Sequence, residues 1–287
     1  MTPADKTQPI RLNPETLRRG LGWAQSWTDG PVLCVLTPES VRLVVVSERR
    51  FVASWEWMEE TESPYRFFLI PPFIASMLAG HAAHNITGLR ARINRSHTAL
   101  TVRDSHGEYV LQWRWQAASF QAPPFFDQMA QFPTETHKET YIAIADAVHL
   151  AIANLGRLEA MEQINRDNLA IVVEFTPGHF KIDGQPITLS SDQHYYFDPR
   201  LIMRGLEVVR GKQVGFSIGQ TPIPGQAILY MTSQRDQWRI QCSLLSILPD
   251  EKMHIISQRV RPLPQTTGRL EVRERSEPKT PPPGAAL

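Results

Sequence analysis

Nine histidines and two cysteines are the side chains best suited to hold a metal or attack a substrate, and their spacing points away from both. His81 and His84 stand three apart on an expected helix, which could aim two imidazoles at one ion. No carboxylate or cysteine lies near enough to complete such a site. Cys34 and Cys242 each sit in an apolar run, as buried free thiols do, with neither a disulfide framework nor zinc spacing. Glu59, Glu60 and Glu62 read as a solvated acidic loop. Gly178, Gly184, Gly215, Gly219 and Gly225 are spaced for turns rather than for cradling a phosphate. Asp183-Gly184 reads as a hairpin turn, and no Gly-x-Ser-x-Gly elbow occurs. With no convergent polar site, no cofactor and no catalytic group are expected.

The chain of 287 residues has a charged fraction of 21% and a net charge of +1, so it cannot hold nucleic acid by bulk attraction. Any such contact must come from local placement of charge. Met1 to Pro9 lack the apolar core of a signal peptide, and no apolar run approaches the ~20 residues that span a bilayer. The expectation is a cytoplasmic protein without a membrane partner.

The elements that must position any charge form a unit that occurs four times. A short strand runs straight into a helix and is followed by further strands. The starts fall near residues 9, 65, 139 and 194, at intervals of 56, 74 and 55. In the first copy Asn13 is placed to cap a helix that Pro14 begins, with Leu17, Leu21, Ala24 and Trp27 on one face. In the second, Pro71-Pro72 opens a short helix whose Phe73, Ile74, Met77 and Leu78 are expected inward, and Ser105-His106-Gly107 signals a hairpin. In the third, the strand is expected through Ile144 and the helix from about Asp146 to Gln163, with strands to follow, one at Ile187 to Leu189. In the fourth, Asp198 caps and Pro199 begins the helix, with Ile202, Leu206 and Val209 inward. The longer middle interval predicts a connector over 117–137 between a first domain (9–116) and a second (138–262). A proline-rich tail, 263–287, is expected to be disordered. Trp55/Trp57 and Trp113/Trp115 alternate within strands, so each pair shares a sheet face, either in the core or as an exposed strip for a partner.

The fourth unit resembles a known family. Tyr196-Phe197-Asp198-Pro199-Arg200-Leu201-Ile202, followed by Gly205 to Val214 and by Ile218 to Leu229, is similar to the last repeat of the bacterial DNA polymerase III beta subunit, a DNA sliding clamp. Phe68-Leu69-Ile70-Pro71-Pro72-Phe73 resembles the clamp's strand-to-helix entry, and Ala122-Pro123-Pro124-Phe125-Phe126 its connector. Two departures stand out. A beta subunit has three domains where this chain has room for two, and the family's terminal Met-Pro segment is absent.

The resemblance implies an α+β fold, the DNA-clamp fold: repeated strand-helix-strands units in two domains, each with two helices packed on antiparallel sheets. It also implies a homotrimer, since six domains close a ring. Helices would line a hole around duplex DNA of any sequence, and the partners would be a DNA polymerase or repair proteins. The cations placed for phosphate contact are Arg18, Arg19, Arg157, Arg200, Arg204, Arg210 and Lys212. The competing reading is that these are ordinary solvated helix faces, with Arg210 and Lys212 answering a helix dipole. A clamp-fold scaffold that encircles nothing and an enzyme on the same repeated unit are the other two functional readings.

Overall fold

The computed structural model describes residues 9–61, 65–80, 85–94, 97–116, 120–134, 136–162, 169–176, 179–186, 194–235 and 237–248. The first half of the chain runs β1 (Ile10–Leu12), α1 (Pro14–Gln25), β2 (Val32–Leu36), β3 (Ser40–Glu48), β4 (Phe51–Met58), β5 (Arg66–Ile70), α2 (Pro72–Ala79), β6 (Gly88–Ile93), β7 (His97–Asp104) and β8 (Gly107–Arg114). A one-turn helix, α3 (Phe126–Met129), lies in the connector. The second half runs β9 (His137–Thr140), α4 (Tyr141–Glu162), β10 (Leu169–Thr176), β11 (His179–Pro186), β12 (His194–Phe197), α5 (Pro199–Val208), β13 (Gln213–Gln220), β14 (Ala227–Arg235) and β15 (Trp238–Leu245).

The strand-to-helix entries follow from local chemistry. Asn13 is extended, its side chain accepts from the Thr16 N–H at 3.1 Å, and Pro14 supplies a preset φ where a backbone donor is not needed. Asp198 repeats this with the Arg200 N–H at 2.9 Å, ahead of Pro199. Each such cap contributes about 1 kcal/mol. Gly107 adopts φ 142, and Asp104 Oδ1 accepts from the His106 and Gly107 N–H groups, which makes the β7–β8 hairpin.

All pairing is antiparallel, and it interlocks the units. β1 joins the second unit's sheet, giving the order β1-β6-β7-β8, while β5 joins the first unit's. The two halves then share one eight-stranded sheet, β5-β2-β3-β4-β15-β14-β13-β9. The joint is β4 against β15, seven residue pairs from Trp238↔Trp57 to Leu244↔Phe51. A three-stranded sheet, β11-β10-β12, completes the second half among the described residues. One large core lies between the sheets and α1, α2, α4 and α5.

Three expectations are corrected. α4 begins at Tyr141, five residues before Asp146, because Thr140 ends the strand and its hydroxyl accepts from the Ala143 N–H at 3.2 Å. The alternation of Ile142 and Ile144 is therefore helical, with Ile144 buried and Ile142 71% exposed. Phe73 and Met77 do not face the core. The eight-residue α2 buries Ile74, Ala75 and Leu78, and Phe73 is left 67% exposed on the far side with Met77 one turn on. Asp183-Gly184 is not a turn but lies inside β11, where a Cβ on Gly184 would meet the Ala151 carbonyl oxygen of α4 at 2.2 Å. The tryptophan pairs are core residues, with the Trp113 indole donating to the Leu69 carbonyl at 2.7 Å and that of Trp115 to Thr98 Oγ1 at 3.0 Å. Glu62, His81, His84, Gly178, Ile187 to Leu189 and the tail lie outside the described residues.

Candidate functional site

The helices order the molecule from end to end. α1 packs on β3 and β4, α5 on β15 and β4, α2 lies beside α1, and α4 lies beside α5 and over β11. Their sequence across the structure is therefore α2, α1, α5, α4, with the sheet joint beneath the middle pair. Arg204 of α5 ties that middle pair together. Its guanidinium donates to Glu48 at 3.2 Å and to the Trp27 carbonyl, just past α1, at 3.0 Å, and it stacks over Phe51 at 5.3 Å.

The other predicted cations take three environments. Arg18 and Arg19 share the carboxylate of Glu15, at 2.9 and 2.8 Å. The hydrogen bonds from Arg18 and then Arg19 hold the Glu15 carboxyl down to about 2. Two guanidiniums against one carboxylate leave that first turn net positive. Arg200 is 88% exposed, yet its charge is matched by Asp198 at 2.7 Å. Arg157, Arg210 and Lys212 are exposed. The carbonyls of Arg210 and Lys212 hold neighbouring elements, accepting from Arg235 Nη2 at 3.1 Å and from the Tyr141 N–H at 3.1 Å. The cations thus gather on α1, α5 and the turn after α5, with Arg157 apart on α4.

The outer helices differ. α2 carries no charge, and its exposed face is Phe73 and Met77. α4 exposes Ile142 and Leu150, the latter at 63%.

The opposite side of the joint carries a feature that the sequence did not announce. Glu56 of β4 is only 3% exposed. One of its oxygens accepts from Ser40 Oγ at 2.9 Å and from Arg42 at 2.9 Å, and the other accepts from Arg239 of β15. Burial pushes the Glu56 carboxyl up, but the two guanidiniums outweigh it and the group ends below its ordinary value. Phe132 of the connector lies against both cations, 4.9 Å from Arg42 and 4.0 Å from Arg239. The rest of the connector is held by its backbone. The Gln128 carbonyl accepts from the Tyr230 hydroxyl at 3.0 Å. That of Met129 accepts from Gln241 at 2.8 Å and Ser243 at 2.7 Å, and that of Ala130 from Arg42 at 2.8 Å. Met129 is fully buried in a small apolar cluster with Val35, Val44, Val52, Ile228 and Leu245. Partners as far apart as Glu56 and Arg239 leave no spacing signal; only the alternation of Glu56 with Trp55 and Trp57 hinted that it faces away from the helices.

This arrangement is the sliding-clamp fold, of the α+β class. The beta subunit of DNA polymerase III from Thermotoga maritima superposes with a TM-score of 0.51 at 12% identity, over 86% of this chain and 67% of that one. The beta subunit of DNA polymerase from Streptococcus pyogenes gives 0.50 at 12%, over 86% and 68%. PF-8, the DNA polymerase accessory subunit of Kaposi's sarcoma-associated herpesvirus, gives 0.50 at 11%, over 83% of this chain and 99% of that one. No protein-family model and no curated protein matches the sequence.

Proposed function

We propose that the chain is the two-domain subunit of a ring that encircles duplex DNA and tethers a DNA polymerase or repair protein to it, with three copies joined head to tail. The observation that carries this reading is the state of the two ends. Among the described residues β8 pairs with β7 alone and so offers an open edge, with Tyr109 and Val110 exposed upon it. β11 is an edge strand of its sheet among the described residues. The outermost helices, α2 and α4, carry Phe73, Met77, Ile142 and Leu150 exposed, while α1 and α5 expose no large apolar side chain. An open sheet edge beside unpartnered apolar helix residues is what a subunit contact needs, and it invites aggregation if left bare. Bringing one copy's β8 and α2 to the next copy's β11 and α4 would repeat the joint already built by β4, α1, β15 and α5.

In such a ring the helices face the hole. Arg19, Arg157, Arg200, Arg210 and Lys212 would then meet phosphates, with Arg18 and Arg204 adding their field from more sequestered positions. The division into 9–116 and 138–262 would supply the six domains of the ring. The accessory role of the herpesviral neighbour supports a polymerase as partner. The near-neutral helix face favours one alternative, a clamp-fold scaffold that assembles without DNA. Sedimentation of the purified protein at high micromolar concentration tests assembly. A trimer mass is expected, and a strict monomer contradicts the ring.

A further inference from the structure

A recess opens on the helix side of the joint, beside the first turns of α1. Its cavity volume is about 220 Å³, and Trp55, Trp57, Met58 and Trp238 line it together with Asn13, Thr16, Arg19, Glu59 and Gln237. That is below the roughly 300–1,000 Å³ of sites for drug-sized ligands, so it suits a single ring system. Trp55 and Trp57, both buried, form its floor and the half-buried Trp238 its wall, with Trp55 centred 4.8 Å from Trp57 and 6.1 Å from Trp238. The floor is firm on one side. Glu59 accepts from the Trp57 indole N–H at 2.5 Å and from the Asn13 N–H at 2.7 Å, fixing strand end to helix start.

The lining decides between occupants. An indole cage with a carboxylate would ordinarily suit a cation. Here Arg19 already stands in the lining, and Glu59 is engaged by two donors, so a cationic guest would meet a guanidinium. A flat neutral ring can stack on the half-buried Trp238, with the buried Trp55 and Trp57 beneath it, and meet the side chains of Asn13, Thr16 and Gln237 at its edge. Cations stand beside it for a flanking phosphate. Arg19 is well exposed, and Arg235, also exposed, lies over the Trp238 ring at 5.4 Å. Indole faces with adjacent guanidiniums are the elements by which proteins hold unpaired nucleotides irrespective of sequence.

We propose that the Trp55–Trp57–Trp238 recess at the joint binds one unpaired nucleobase of a DNA strand, with Arg19 and Arg235 on its flanking phosphates. The site goes beyond the ring reading and does not need the ring to close, since all of its residues belong to one chain. In a ring it would sit on the inner surface, where a frayed or single-stranded segment meets the protein.

The test is fluorescence anisotropy of a labelled dT12 strand against a strand of equal length whose bases are removed but whose phosphates remain. The intact protein should bind dT12 roughly five- to a hundredfold more tightly, the range for stacking of one base. Trp238→Ala should erase that difference while leaving the binding of the abasic strand in place. Trp238→Phe should keep most of the difference, and Thr16→Phe, which fills the recess without altering a residue of β4 or β15, should abolish it. Equal affinity for the two strands in the intact protein, or a preference that survives both Trp238→Ala and Thr16→Phe, overturns the proposal. Saturation by N-acetyl-tyrosinamide with none by dT12 also overturns it, in favour of an aromatic peptide side chain. Retention on closed circular duplex is measured separately. If it persists while the preference for dT12 is absent, the recess is wrong and the ring stands; if the preference persists without retention, the reverse holds.

Discussion

The joint inside the chain and the chain's two ends are built from the same parts. At the joint, β4 meets β15 along seven pairs, Trp55 and Trp238 pack on one face, and the connector covers the other. Buried charge there is answered, Glu56 by Arg42 and Arg239, and Arg204 spans from α5 to Glu48 and Trp27. At the ends an edge strand and an outer helix are again exposed, and Tyr109, Val110, Phe73, Met77, Ile142 and Leu150 meet solvent. The difference teaches what a partner at the ends must bring: a strand edge and a second apolar helix. It also teaches what it need not bring, since no buried ion pair waits there among the described residues.

The largest effect is expected at the joint. Arg42→Met would leave the Glu56 carboxylate, 3% exposed, one partner short, at a cost of about 3 kcal/mol, the low end for breaking a buried pair. Calorimetry should show a Tm lowered by several degrees; an unchanged Tm would remove the ion cluster from the account of the joint. The same group sets a pH dependence. The folded Glu56 carboxyl lies below its ordinary 4.5, so its stabilisation is present above that value and lost as pH falls through the folded value. Glu56→Gln should therefore flatten the acid limb of the stability curve below pH 4.5, while the wild-type curve falls.

At the ends the expected effects are on assembly alone. Phe73→Asp with Leu150→Asp should raise the dissociation constant of the oligomer by tenfold or more and change the unfolding free energy of the subunit by less than about 0.5 kcal/mol, since exposed sites contribute little to the fold. A large fall in Tm would mean that these side chains serve the subunit and not its contacts.

The smallest effect separates the two kinds of arginine. Arg19→Glu should reduce the salt dependence of duplex binding by about one contact's worth, a slope change near 1, without altering Tm. Arg204→Glu should do the opposite, lowering Tm by repelling Glu48 across the joint. Identical behaviour of the two variants would erase the distinction drawn between inner surface and joint.

The local features of the fold were legible and the long-range ones were not. Asn13-Pro14 and Asp198-Pro199 announce helix starts because the caps act within three residues. The spacing of the four units shows because each repeats the same strand-to-helix entry. The start of α4 is not legible because Ile142 and Ile144 fit a strand's two-residue period, whereas the helix sets them on opposite sides and only the Thr140 cap decides. Phe73 and Met77 were placed inward because an eight-residue apolar helix has no polar stripe to mark its outer side. The Glu56–Arg239 contact spans 183 positions, so nothing in the sequence pairs them. Arg200 and Arg204 were legible as neighbours on one helix. The match of Arg200 with Asp198 is local, two residues apart, whereas the turning of Arg204 to Glu48 follows from the packing of α5 against the first half.

The central claim is that the two ends close on copies of themselves around DNA. Gel filtration with a nicked circular plasmid tests it most directly, before and after a single restriction cut. A closed ring predicts protein co-eluting with the circle at moderate salt and lost once the DNA is linear, because the protein slides off the ends. Equal retention on circular and linear DNA, or none on either, would contradict it.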